Sequence, residues 1–248
     1  IAAQGGALQY DAIYGSTAAD FANYMFGSPY QGYLMNETHV NFLRVWRMAR
    51  GGPFHAQERA TALGYVAHND EDYTAHSAAR TLDPASGGYV IQKAAILNGT
   101  LEYYGVWDQL GLSGEEYALL REELSHDLVE FAGDFLIALS QPGVGQLLSE
   151  SAAGRCGDFP RLLVEAYAGN LVAFSNRSGM MLNRPAAAGI LTAGEMMFRD
   201  GMIQYGQVFA SSDPATILDN MALYLQALAA ALGVEIANPA DVIPVIQI

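Results

Sequence analysis

The pattern of apolar and polar residues along the chain predicts helices interrupted by glycine and proline. Apolar side chains recur at intervals of three and four residues, and alternating strand-like patterns are nearly absent. Helices are predicted at about 16–26, 37–50, 53–80, 89–104, 114–140, 143–153, 158–176, 187–206 and 214–232. The pattern therefore predicts an all-α fold, and we expect residues 1–248 to form a single compact multi-helix domain.

Three of these helices carry recognisable start signals. Pro53 suits the first turn of the long helix that follows it. Ser113 with Glu116 three residues later forms the pattern of a capping box. Asp213 followed by Pro214 combines an N-cap residue with proline at the first helical position.

The composition narrows the possible partners. Apolar residues make up 51% of the chain and charged residues 15%, which excludes a disordered chain. There are 26 acidic residues against 12 basic ones, the net charge is -14, and Lys93 is the sole lysine. Because so acidic a surface repels phosphate backbones, we expect no broad nucleic-acid-binding surface.

Cysteine content and hydropathy exclude further classes. The single Cys156 excludes an internal disulfide and any multi-cysteine metal site, although it does not indicate a compartment. No uncharged run reaches the roughly 18–20 residues that cross a bilayer, so we expect no transmembrane segment and interpret 221–237 as a packed helix. The chain begins at Ile1 rather than Met, so we expect that an initial segment was removed, and a cleaved export signal would leave no trace.

Histidine is scarce, with five in the chain, yet three of them fall at helical intervals with carboxylates. His68, Asp72 and His76 follow one another four residues apart, which places them on one helix face. His126 and Glu130 repeat this spacing on a later predicted helix. Two such helices packed face to face would bring three imidazoles and two carboxylates together, and such a set without thiols suits zinc or another divalent ion.

The alternative is that these residues form a solvated polar stripe, which is the commoner role of a single His-x-x-x-Asp pair. The surroundings of the stripe argue against this alternative. Residues 62–67 before His68 are small or apolar, and Ala75, Ala78 and Ala79 surround His76. Burying ionisable groups among such neighbours without a partner is costly, so the pattern favours a metal site.

The segment Ala62-Leu-Gly-Tyr-Val-Ala-His68-Asn-Asp-Glu-Asp72-Tyr-Thr-Ala-His76 resembles the core motif of the zinc-dependent phospholipase C family. It is most similar to the branch that contains the catalytic domain of glycosylphosphatidylinositol-specific phospholipase D. Bacterial phospholipase C and fungal single-strand-specific nucleases are related to this branch. Gly15-Ser-Thr-Ala-Ala-Asp20 resembles a second family motif with Ala19 in place of proline, and Glu37-Thr-His39-Val-Asn-Phe42 and Ser125-His126-Asp-Leu-Val-Glu130 resemble two further ligand segments. The resemblance covers about residues 15–135.

This resemblance implies the all-α fold of the phospholipase C and single-strand nuclease type, with a dinuclear zinc centre. It assigns Asp20, His39, His68 and Asp72 to one ion, and His76, His126 and Glu130 to the other. It also implies catalytic roles for Asp20, which would orient or deprotonate the attacking water, and for Asp72, which would extend to a third metal. That third site departs from the family pattern, because no histidine precedes His39 and Ile1 replaces the expected first residue.

The resulting hypothesis is a zinc-dependent, phospholipase C-like phosphodiesterase that uses a metal-activated water on a small phosphoester or phospholipid head group. The resemblance implies a secreted, periplasmic or cell-surface location, and nothing indicates the oligomeric state. One alternative keeps the metals for a different small-molecule reaction, because the acidic surface disfavours docking on anionic lipid. The other is a non-catalytic helical binding protein that metal stabilises.

The remaining histidine, the arginines and the aromatic residues carry weaker signals. His55 matches no ligand of the family and is expected at the surface, at the start of its helix. The arginines at 44, 47, 50, 59 and 80 are expected on solvated helix faces. The aromatic residues between positions 14 and 33 suit a substrate cleft or an ordinary core equally, and four others are expected in the core: Tyr65, Tyr103, Tyr104 and Trp107.

Overall fold

A computed structural model describes residues 7–77 and 87–231 of the chain. Of these residues 80% are helical and none lies in a β-strand, which confirms the predicted all-α class. The α-helices of the described ranges are α1 (Ala7–Gly15), α2 (Gln31–Val40), α3 (Leu43–Gly51), α4 (Ala56–His76), α5 (Tyr89–Tyr103), α6 (Val106–Gln109), α7 (Ala118–Ser140), α8 (Val144–Gly154), α9 (Phe159–Arg177), α10 (Arg184–Val208) and α11 (Pro214–Ala231). Within the same ranges, 3-10 helices lie at Ala18–Tyr24 and Glu115–Tyr117. None of these helices is both long and apolar enough to span a membrane.

The amino-terminal third of the chain differs most from the predicted helices. The sequence pattern missed α1, and the helix predicted at 16–26 is the shorter 3-10 helix. The helix predicted at 37–50 is two helices, because α2 ends at Val40 and α3 begins at Leu43. At the junction Asn41 has a non-helical backbone, with φ -110° and ψ 26°, and asparagine favours helix ends over helix interiors.

The long helix α4 begins and ends inside the predicted limits. Pro53 lies outside it, since His55 has extended backbone and donates its N–H to the Glu58 carboxylate at 2.8 Å. At the other end Ser77 is again extended, so α4 ends at His76 rather than near residue 80. Residues 78–86 lie outside the described part of the chain.

Of the other two predicted helix starts, one is wrong and one is confirmed. The capping box of Ser113 and Glu116 is wrong, because a 3-10 helix precedes α7 and neither helix start has a side-chain capping bond. The cap before α11 is confirmed, because Thr216 donates its backbone N–H to the Asp213 carboxylate at 3.1 Å. The end predicted for this helix at residue 232 lies just beyond the described residues.

The core lies between α1, the first 3-10 helix, α4 and helices α8 to α10. Its largest fully buried side chains include Tyr14, Phe21, Tyr65, Phe159, Tyr167 and Phe198. A smaller apolar cluster joins α7, α10 and α11. Burial of Tyr65 and Trp107 is confirmed, whereas Tyr103 and Tyr104 are exposed because they end α5 at the surface, where no element covers their rings in the described residues.

Two glycines allow α1 to cross α4 at close range. A Cβ atom at Gly15 would lie 2.0 Å from the carbonyl oxygen of Thr61, and one at Gly64 would lie 1.9 Å from that of Ala12. Any larger residue would therefore separate the two helices. This crossing brings the residues that follow α1 alongside the middle of α4, where His68 lies.

Candidate metal centre

One group of potential ligands lies where the first 3-10 helix, α2 and α4 meet. Asp20, His39 and His68 each place a ligand atom within 4.8 Å of the other two. The Nε2 atoms of His39 and His68 are 3.3 Å apart. Asp20 places one carboxylate oxygen 3.4 Å from His39 Nε2 and the other 3.6 Å from His68 Nε2. Three predicted ligands from distant parts of the sequence thus converge on one point.

A second group lies where the end of α4 faces α7. His76, His126 and Glu130 again lie within 4.8 Å of one another. The two Nε2 atoms are 2.8 Å apart, and Glu130 Oε1 lies 3.2 Å from that of His76 and 3.5 Å from that of His126. The structure therefore brings together the second predicted set of ligands in full.

The other ring nitrogen of each histidine in the first group contacts a backbone carbonyl. His39 Nδ1 is 2.7 Å from the carbonyl oxygen of Met35, and His68 Nδ1 is 3.0 Å from that of Ser16. Because a carbonyl oxygen can only accept a hydrogen bond, each Nδ1 must carry the proton. In the neutral ring this leaves Nε2 as a bare lone pair.

The histidines of the second group follow the same rule with carboxylate partners. His76 Nδ1 lies 3.0 Å from the carbonyl oxygen of Asp72 and 2.9 Å from its Oδ1. His126 Nδ1 lies 3.3 Å from Asp127 Oδ1. Such outer partners fix the tautomer and orientation of metal-binding histidines in proteins.

These contacts leave hydrogen-bond acceptors facing one another in both groups, without a donor between them. In neutral form, two imidazole lone pairs and a carboxylate oxygen point at one another with no hydrogen between them. Tetrahedral zinc with bonds of 2.0–2.1 Å separates neighbouring ligand atoms by about 3.3–3.4 Å. The first group matches that spacing closely, and the second is slightly more compact. The donor set and its spacing fit a divalent cation in each group.

Neighbouring carboxylates raise the pKa values of three of these histidines. Hydrogen bonds to Asp72 and Glu130 raise the pKa of His76 to about 10. The bond to Asp20 raises the pKa of His39, and that to Asp127 raises the pKa of His126. Each imidazolium is stabilised because it supplies a proton where the surrounding atoms otherwise only accept.

Asp72 occupies a different place from the one implied by the resemblance. Its carboxylate bonds to His76 Nδ1, and that bond lowers the pKa of Asp72. The charges of His39 and His68 lower this pKa further. It is not among the three ligand atoms that converge in the first group. Its role as a ligand of the first ion stays a prediction.

An open cavity of about 620 Å³ adjoins both groups. Three predicted site residues line it, together with aromatic, amide, carboxylate and hydroxyl side chains: His39, Asp72 and His76 with Phe42, Asn69, Asp70, Tyr73 and Ser77. This lining contains no lysine or arginine. The cavity therefore gives solvent and small molecules access to the ligand groups.

His55 and two of the arginines lie apart from the centre. His55 is exposed at the start of α4, which confirms its interpretation. Arg44 and Arg47 line a separate cavity of about 370 Å³ beside α3. Arg80 lies outside the described residues.

Sequence reasoning missed the outer partners of the histidines. Asp127 follows His126 directly, and that adjacency was the available signal for it. The carbonyl groups of Ser16 and Met35 have no signal in the sequence, because any residue supplies one. A further group formed by Glu123, His126 and Asp127 was also missed.

Comparison with the sequence profiles of known protein families found no match, and comparisons with curated proteins and with solved structures found no significant match either.

Proposed function

We propose that the chain is a zinc-dependent hydrolase of phosphoric esters, of phospholipase C type. The observation that carries the proposal is the pair of histidine–carboxylate groups in which the four Nε2 atoms lack a donor partner within the group. Both groups lie at the edge of one open cavity. Paired metal sites at a solvent-accessible cavity are typical of enzymes that cleave phosphoric esters.

When bound, zinc ions would supply an activated water near neutral pH and positive charge for the phosphoryl oxygens. Asp20, His39 and His68 would hold the first ion, and His76, His126 and Glu130 the second. Asp20 extends both carboxylate oxygens into its group, so one oxygen remains available to orient a water or accept its proton. Asp72 holds the Nδ1 proton of His76 and so keeps the Nε2 lone pair aimed at the second group.

The cavity favours one bound phosphoester rather than a polyanion. Its carboxylates, Asp70 and Asp72, repel additional negative charge, and its lining has no cationic side chain besides histidine. A phosphate would therefore depend on the metals for its attraction. The rings of Phe42 and Tyr73 offer apolar surface to the remainder of a small substrate.

The test begins with metal analysis of the purified chain and then assays four substrates with and without chelator. The substrates are phosphatidylcholine, phosphatidylinositol, single-stranded DNA and a chromogenic phosphodiester. We expect about two zinc ions per chain, cleavage of at least one substrate, loss of that cleavage with chelator, and its return with added zinc. A fully folded chain without metal affinity, or cleavage that chelator leaves intact, would refute the proposal.

The second candidate is a zinc-dependent reaction on a small molecule without phosphate. The absence of lysine and arginine from the described cavity lining favours it, because phosphate sites commonly include such side chains. Two bound zinc ions without cleavage of any phosphoester would support this candidate. Binding of zinc that raises only the thermal stability would instead indicate a non-catalytic, metal-stabilised protein.

A further inference from the structure

The outward side of α7 carries a third set of potential ligands next to the second group. Glu123, His126 and Asp127 each place one ligand atom within 4.8 Å of the other two. Asp127 Oδ1 lies 3.3 Å from His126 Nδ1, whereas His126 Nε2 faces His76. The ring of His126 is therefore held between two sets of acceptors, one on each side.

The outer set lacks a compensating basic side chain. Glu123 and Asp127 lie four residues apart on one helix, a spacing at which like charges destabilise the helix. Within the described ranges, Asp127 forms an ion pair with His126, and Glu123 forms none with lysine or arginine. Arg121, on the same helix, donates instead to the carbonyl groups of Leu112 and Gly114. A cation bound between the two carboxylates would relieve this repulsion.

We propose that Glu123, His126 and Asp127 form an additional, weaker divalent-cation site that competes with the second group for His126; the competition rests on the proposed function, in which that group holds zinc. One nitrogen and two carboxylates suit zinc or a similar first-row ion, with water in the remaining positions. A neutral imidazole offers one lone pair, so His126 serves one group at a time. When the outer ion takes Nδ1, the proton of Nδ1 passes through solvent to Nε2, and the inner group loses a ligand.

The competition predicts a biphasic response to metal. Low zinc fills the inner groups, because each offers two bare imidazole nitrogens and a carboxylate. Excess zinc then fills the outer site and weakens the hold of His76 and Glu130 on their ion. Zinc itself would therefore act as an inhibitor of the centre at high concentration.

The experiment is calorimetric titration of the metal-free chain with Zn²⁺, repeated with Co²⁺ to follow the absorption of each bound ion. Wild type should bind one further equivalent more weakly than the inner ions. Glu123→Gln should weaken that equivalent by about ten- to a hundredfold and leave the tighter binding intact. Asp127→Asn should weaken it too, and circular dichroism should show both variants folded. Glu122→Gln, a neighbouring exposed change on the same helix, should behave as wild type.

Two results would overturn the proposal: wild type binding no weaker equivalent, or Glu123→Gln and Glu122→Gln retaining it equally. Suppose instead that wild type binds none of the tight equivalents and still binds a weaker one that depends on Glu123. That result would refute the proposed function and support the outer site. The two proposals therefore fail on different measurements.

Discussion

The protein places ionisable side chains between helices in two regions, and the two differ in how donors and acceptors are matched. In the core, Glu195 is fully buried and accepts hydrogen bonds from Tyr14, at 2.8 Å, and from Arg155, at 2.7 Å. In the candidate metal centre, carboxylates meet imidazole nitrogens whose protons are committed elsewhere. Each carboxylate oxygen of Glu195 therefore has a donor from the chain, whereas the described residues supply no lysine or arginine to the centre.

Matching hydrogen-bond donors to acceptors therefore distinguishes a structural polar network from a ligand site. Both regions contain residues that are rarely buried without a partner. In the core the arginine supplies the charge, so removing it should damage the fold. In the centre the missing charge must come from a proton or a metal, so changes there should damage binding and leave the fold in place.

The largest effect is expected for Arg155→Ala in the core network. The change leaves the Glu195 carboxylate buried without its cation, and we expect a loss of about 3–5 kcal/mol in the free energy of unfolding. Chemical denaturation of the metal-free chain measures it. Arg184→Ala removes an exposed ion pair with Glu165 and should cost about 0–1 kcal/mol. Equal losses in the two variants would contradict the distinction.

The next effect is expected for His68→Ala in the first ligand group. The zinc content should fall from about two ions to one per chain, and cleavage should fall by more than about a hundredfold, since even outer partners of a metal are worth ten- to a hundredfold. The unfolding transition without metal should shift little. His55→Ala is the matched control, because this exposed histidine lies at the start of the same helix. A His68→Ala variant with full zinc content would exclude the first group.

A smaller effect is expected for Asp72→Asn, which tests its predicted role as a ligand. The amide oxygen can still accept the proton of His76, but it is neutral and a poorer metal ligand. We expect zinc affinity to fall by about ten- to a hundredfold, with a matching loss of turnover. Asp70→Asn alters a carboxylate of the same cavity and should retain zinc. Wild-type affinity and activity in Asp72→Asn would remove Asp72 from the centre.

The smallest effect is expected for Asp134→Asn, and it depends on pH. Burial raises the pKa of Asp134, whose carboxylate accepts a hydrogen bond from Tyr205. Since the folded state then binds this proton more tightly than the unfolded state, wild type loses stability as pH rises through the carboxyl range. The asparagine variant keeps the acceptor without the charge, so it should gain stability relative to wild type between acidic and neutral pH. If the free energies of unfolding of wild type and Asp134→Asn differed by the same amount at every pH, this prediction would be contradicted.

Local spacing predicted the parts of the centre that one helix can carry. The period of a helix was enough to place His68 and His76 on one helix face, and it did the same for His126 and Glu130. The meeting of Asp20 and His39 with His68 came from the resemblance, because the sequence pattern does not state how helices pack. The structure supplies that packing through the close crossing at Gly15 and Gly64.

The errors of prediction have local physical causes. The break after α2 lies at Asn41, whose backbone leaves the helical conformation. A capping pattern such as Ser113 with Glu116 acts only if the backbone starts the helix there. Exposure of Tyr103 and Tyr104 depends on which elements cover the end of α5, and composition does not indicate that. A search by residue type cannot find the backbone carbonyls that orient His39 and His68, because every residue has one.

Helix α4 supplies His68 to one group and His76 to the other, and this shared origin constrains how the protein can change over evolution. One residue inserted between them would turn His76 about 100° around the helix, away from α7, while His68 stayed in place. Substitutions on the far face of α4 would leave both groups intact. Length variation in related chains should therefore occur before residue 68 or after residue 76, and the eight-residue interval should be inherited as a unit.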